Sequence, residues 1–184
     1  SVFEQAEGEL FAWLAHDDSW EPTFLQRCVE QFERDRDVVL AFSDVVFVDE
    51  HSEECGAKDF PMRTASDSVT ERFRDVLMVW HDCLPVFGLI DARSLRRTAL
   101  IRPFASGDHL LLAELSLMGK FEITPEPLFR SRQHAAQSIQ TFNIWTDHHA
   151  YTRWFESVNG QSTALPQWRQ LGGLLAMVAR APIG

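Results

Sequence analysis

The chain mixes short continuous apolar runs with longer stretches in which apolar residues recur every three or four positions. GELFAWLAHDDSW (8–20) opens with such a run, Leu10 to Ala15, and ends abruptly at His16, Asp17 and Asp18, which reads as a strand covered on both faces and emerging at two carboxylates. EPTFLQRCVEQFERD then sets Phe24, Leu25, Cys28, Val29 and Phe32 at helical spacing behind Pro22, predicting a helix over 22–34. VVLAFSD (38–44) is apolar on both faces, and VVFVDE continues it or forms a second strand. Strand, helix and strand in this order predict a βαβ unit with a buried sheet.

HSEECGAKDFPMRTAS (51–66) has no period and many turn formers, so it reads as a loop excursion. Ser68 and Glu71 fit a capping box, and Val69, Phe73, Val76, Leu77 and Trp80 mark the buried stripe of a helix reaching 80. A short strand over 86–90 and a short helix over 93–99 follow. Ser106 or Asp108 starts a helix whose leucines, at 110, 111, 112, 115 and 117, surround it so fully that it must be mostly buried, and Gly119 stands where such helices end. FEITPEPLFRSRQH (121–134) is extended and broken by two prolines, which favours a sheet edge. Beyond it, Ile144, Tyr151, Trp154, Phe155 and Val158 form one aromatic helical face, and Pro166 opens a last helix with Trp168, Leu171, Leu174, Leu175 and Val178. This pair is expected to pack on the domain or to form an interface.

At 184 residues and 45% hydrophobic composition, the chain has one domain's worth of globular material. Its formal net charge of -10 argues against nucleic acid or an anionic membrane as a partner. Three widely spaced cysteines, Cys28, Cys55 and Cys83, point to a reducing compartment and away from a disulfide framework or a structural zinc site. With no basic leader in SVFEQAEGELF and no apolar run long enough to span a bilayer, the expected location is cytoplasmic.

Chemistry can be assigned to few positions. Asp17 and Asp18 either cap the following helix or approach a hard divalent cation, and being adjacent they suit one direct ligand and one supporting carboxylate better than two equal ligands. Asp44, at the end of the second apolar run, either approaches the same sheet edge or serves a turn. Asp108 in FASGDHLLLAEL follows a tight approach to a helix start and is either a first-turn acid or a general base for an alcohol. Glu114 is expected to reach solvent. Arg130 and Arg132 could neutralise a diphosphate, and His134 could bind a borderline cation. His148 and His149 are assigned nothing. GxSxG, HExxH, Walker A and GxGxxG patterns are all missing, which removes hydrolase, zincin and dinucleotide readings as first choices.

Taken in order, GELFAWLAHDDSWEPTFLQRCVEQF, VVLAFSDVVFVDE and VFGLIDARSLRRTALIRPFASGDHLLLAELSLMGKFEITPEPLFRSRQH resemble the inverting glycosyltransferases of family 2, which have the GT-A fold. The resemblance runs from about residue 7 to 135. It implies an α/β fold, a partial GT-A-like and mostly parallel sheet flanked by helices, with 1–135 as the C-terminal portion of such a domain and 136–184 as a helical extension. It implies Asp17 and Asp18 as nucleotide-sugar and metal contacts, Arg130 and Arg132 on the nucleotide sugar, His134 on a Mn2+ or Mg2+ ion, and Asp108 as the base that deprotonates an acceptor hydroxyl. The chain departs from the pattern at Ala15, where the family's earlier acidic residue stands, and at Gly107, which replaces a glutamate. The family's strand, helix and strand that hold the base and ribose precede its acidic motif, whereas here that motif lies at 17–18. The implied activity is sugar transfer from a nucleotide-diphosphate sugar to a hydroxyl with inversion where that base- and ribose-holding half is present, and an inactive form where it is not. The alternative is a non-catalytic relative that dimerises through an uncovered sheet or the aromatic helices.

Overall fold

The structure is a computed structural model that describes residues 2–102, 106–135 and 171–177. The predicted helices with Ile144 to Val158 and from Pro166 lie almost wholly outside these residues; of the second, 171–177 is helical.

One long strand organises the molecule. Val38–Val48 (β3) is buried at nearly every position, as its unbroken apolar composition requires. It pairs in parallel along its length with Lys120–Arg132 (β6). On its other side, Leu40 and Ala41 face Leu89–Asp91 (β5) and Val45 to Val48 face Glu54–Lys58 (β4), both antiparallel. Leu10–Phe11 (β1) adds to β5 and Ser19–Trp20 (β2) to β6, giving the order β1-β5-β3-β6-β2. The sheet is therefore mixed and not mostly parallel, with β3 and β6 as its parallel pair. Strand, helix and strand do occur around Phe24–Arg34 (α1), but β2 is antiparallel to β6, so no parallel βαβ unit forms there.

Several expectations change with the packing. The run Leu10–Ala15 supplies only two strand residues, half-buried at the end of the sheet. The 51–66 excursion contains β4, whose exposed ECGAK sequence lacks a strand's apolar alternation. β6 is flanked by β3 and, at Phe129 and Arg130, by β2, so it is not an edge strand there. Pro125 and Pro127 are tolerated because the β3–β6 register shifts around Asp44 and because β2 pairing begins only beyond them. Asp44 consequently lies inside β3 and ends no strand, beside Asp59; burial, then that like charge, pushes its carboxyl up.

The helices cover the sheet as their periods demand. In α1, Phe24 and Cys28 are buried while Leu25 and Val29 are exposed, so the buried face is narrower than the apolar pattern. Burial pushes the Cys28 thiol up to about 12. Val69–Met78 (α2) is capped by Ser68, whose side chain accepts from Glu71 N. It buries Val76 together with Arg72 and Asp75, while Val69 and Trp80 stay outside. After the short helix Ala92–Leu95 (α3), Gly107–Met118 (α4) buries Leu110, Leu111, Leu112 and Leu115, and Glu114 accepts from Ala99 N in a solvent-exposed hydrogen bond. Met177, in the described part of the tail, joins the same core.

Candidate functional site

Residues 12–18 leave β1 as irregular chain, turn at His16 and Asp17, and re-enter the sheet as β2. Thr23 stands at the N-cap position of α1 without a side-chain capping hydrogen bond, and no acid lies in the first turn. Asp17 and Asp18 therefore do not cap that helix. Both are turned instead toward the end of β6, more than 110 residues away in sequence.

Each carboxylate has a distinct task there. Asp18 Oδ1 accepts from Arg132 N at 2.9 Å, which ties the turn to the strand. Asp17 Oδ2 lies 2.9 Å from His134 Nε2. The hydrogen bond with His134 holds the Asp17 carboxyl below the usual carboxylate range, whereas burial pushes that of Asp18 up. Arg132 closes the turn from below: its Nε donates to Asp17 O (3.2 Å), Nη1 to Asp49 O (2.6 Å) and Nη2 to Ser52 Oγ (3.1 Å). Asp49 is itself fixed, its Oδ1 accepting from His51 N and Glu53 N. Arg130 bridges Glu21 at 3.1 Å and Glu54 at 3.4 Å. Asp17, Asp18, Arg132 and His134 thus form one cluster, with Arg130 on the adjoining carboxylates.

Asp108 belongs to a second group. The chain reaches α4 through Ser106 in a left-handed conformation, and Gly107 packs so closely on Arg102 that a Cβ there would collide with the Arg102 carbonyl. Asp108 is thereby set in the first turn of α4, its Oδ1 accepting from His109 N at 2.8 Å. The half-buried Cys83 thiol, pushed up first by desolvation and then by the Asp108 charge, hydrogen-bonds to the same carboxylate. Cys83 is held in turn by His81, whose Nδ1 accepts from Cys83 N and whose Nε2–H donates to Val76 O, while burial lowers the imidazole's pKa. These partners give Asp108 a fixed position, and the sequence offered no sign of them, because neither His81 nor Cys83 stands in a recognisable motif.

Asp108 opens onto a cavity of about 320 Å3 lined also by Trp13, Leu14, Ala15, Val86, Phe87, Ile101 and Gly107. The loop that carries Asp17 therefore joins both groups: Ala15 faces the Asp108 cavity, and Asp17 faces His134. The cavity residues escaped sequence reasoning because apolar side chains beside a strand and a helix look like core.

The donor chemistry for a divalent cation can be tested against this geometry. Among the described residues, no group of three His, Cys, Asp or Glu side chains is placed to hold a metal ion. Asp18 points to the β6 backbone and Ala15 offers no donor atom. Asp17 and His134 do converge, but through a 2.9 Å hydrogen bond between Oδ2 and Nε2, so a cation would take both as ligands only by displacing the proton they share.

Comparison with known families places the site in context. The model for "Glycosyl transferase family 2" matches residues 1–96, just over half of the 184. The match includes Asp17 and Asp18 and ends before Asp108, Arg130, Arg132 and His134. No curated protein matches the chain. Among the described residues, no helix is long and apolar enough to cross a membrane.

Proposed function

The chain belongs to glycosyl transferase family 2, and from that premise we propose that it transfers a sugar, with inversion, from a nucleotide-diphosphate sugar to an acceptor hydroxyl. The observation that carries this reading is the 12–18 loop, which sets Asp17 against His134 on one side and lends Ala15 to the wall of the Asp108 cavity on the other. Both halves of a displacement reaction, a place for the leaving diphosphate and a base for the incoming hydroxyl, meet at one loop.

Asp108 is the base. Its carboxylate takes the acceptor's hydroxyl proton as the acceptor oxygen bonds to the anomeric carbon. The bond from that carbon to the diphosphate oxygen breaks from the opposite face, and its electron pair leaves with the nucleoside diphosphate. Cys83 and His109 N fix the carboxylate for this task. Asp17 and His134 would hold a divalent cation that supplies positive charge to the departing diphosphate. Asp18 and Arg132 hold the turn in place through the end of β6. Arg130 reaches phosphate oxygens by exchanging its carboxylate partners Glu21 and Glu54.

Titration of UDP- and GDP-sugars with Mn2+ against the chain, and against the natural polypeptide that carries it, tests the reading. Binding is expected, with transfer to give the inverted anomer by NMR. Asp108→Asn is expected to lower transfer by about 10²–10⁴-fold while donor binding persists. Failure of the natural polypeptide to bind any nucleotide sugar overturns the proposal.

A further inference from the structure

The acceptor side carries more information than the general reading uses. Its cavity is built from three separate pieces of chain: Trp13, Leu14 and Ala15 before β2, Val86 and Phe87 from the 3-10 turn Leu84–Phe87, and Ile101 with Gly107 and Asp108 at the entry to α4. Its volume of about 320 Å3 is that of a small-molecule site. Among the described residues that line it, only the Asp108 carboxylate and the Trp13 indole carry a side chain that can hydrogen-bond.

That composition discriminates between acceptors. An aromatic ring can carry the C–H face of a pyranose, but the hydroxyl rim of the sugar needs several donors and acceptors around it. Phe87 is already engaged on one side by Phe129, at 5.5 Å between centroids, and Trp13 by Phe11 at 4.9 Å. A pyranose seated here would set hydroxyls against the apolar side chains of Leu14, Val86 and Ile101, which offer no hydrogen-bond partner, and each hydroxyl that gives up water there opposes binding. An alkyl or aryl body with one hydroxyl meets no such opposition: the body covers the apolar wall, and the hydroxyl finds the lone carboxylate.

We infer that the acceptor is an alcohol carried on an apolar alkyl or aryl body, seated against Leu14, Val86, Phe87 and Ile101 with its hydroxyl on Asp108. This rests on the catalytic reading above and sharpens it by naming the substrate class. The transfer step is unchanged: the hydroxyl proton passes to Asp108, the oxygen bonds to the anomeric carbon, and the nucleoside diphosphate leaves with its electron pair.

The experiment separates the two claims by measuring binding without donor or metal. Ligand-observed NMR titrations of the full chain use n-octanol as the alkyl probe, 2-phenylethanol as the aryl probe and methyl β-D-glucopyranoside as the sugar probe. At least one alcohol is expected to bind about tenfold or more tightly than the glucoside, the scale of selectivity that an apolar pocket supplies. Which alcohol binds more tightly distinguishes an alkyl from an aryl body. Leu14→Gln and Ile101→Gln are expected to weaken alcohol binding by about tenfold. These side chains are 46% and 40% exposed, so both variants fold, as circular dichroism will verify. Glucoside binding equal to or tighter than that of both alcohols, or alcohol binding untouched by both substitutions, overturns the inference and leaves the catalytic reading intact. Selective alcohol binding in a natural polypeptide that transfers sugar to no acceptor supports the pocket's ligand class and overturns the catalytic reading.

Discussion

Burial raises the pKa of Asp18 while the hydrogen bond from His134 lowers that of Asp17, so two adjacent acids shape stability in opposite senses as pH changes. A lowered folded-state pKa contributes stability that is full above the ordinary carboxylate value and is lost as pH falls through the lowered value. Asp17→Asn should therefore cost stability at pH 7, and the gap to the parent chain should close in acid. A raised pKa works the other way, with stability full below the ordinary value and lost as pH rises through the raised one. Asp18→Asn keeps an oxygen to accept from Arg132 N, so it should gain on the parent chain between about pH 4 and pH 7. Urea denaturation of both variants across that range checks the two signs. The types of these residues were legible in the sequence, and so was the expectation that two adjacent carboxylates take different partners. Their partners were not, because a contact between Asp17 and His134 depends on where a distant strand ends.

At the scale of elements, the long apolar strand and the leucine-surrounded helix could be read directly, since β3 and α4 bury nearly everything their patterns mark. Periodicity failed where an element borrowed its stability from neighbours. β4 is an exposed five-residue strand that exists because β3 offers it a ladder, and the Leu10–Ala15 run turned away from the sheet after two residues. The stripe of α2 was misjudged for a related reason: it buries the charged Arg72, which no hydrophobic pattern would select. Arg72 Nε donates to Ser116 O at 3.0 Å, and Nη1 donates to Ser66 O and Asp67 O, so this side chain fastens α2 to the last turn of α4. Arg72→Met should destabilise by about 2–3 kcal/mol, because the Ser116 carbonyl loses a charged donor in a buried setting. Ser68→Ala, which removes only the α2 cap, should cost about 1 kcal/mol. Chemical denaturation of the two variants should rank them in that order.

For the whole molecule, the order of motifs was legible and the way they meet was not. The chain brings Asp17 of the early loop against His134, which lies just beyond β6, and it places Ala15 of the same loop on the wall of the cavity onto which Asp108 opens at the start of α4. These two meetings are physically different, and a double-mutant cycle can tell them apart. Asp17 and His134 share a 2.9 Å hydrogen bond, so removing either side chain already forfeits it. Asp17→Ala and His134→Ala should therefore be non-additive in unfolding free energy, with a coupling of about 0.5–3 kcal/mol, the range for residues in direct contact. Asp17→Ala and Asp108→Ala should add within about 0.5 kcal/mol, because Asp108 is held by Cys83 and His109 N and shares neither partner with Asp17. Additivity in the first pair would mean that the early loop is not docked on the end of β6 in solution. Coupling in the second pair would mean that the two halves move together, and the 12–18 loop would then be a hinge between them and not a fixed wall.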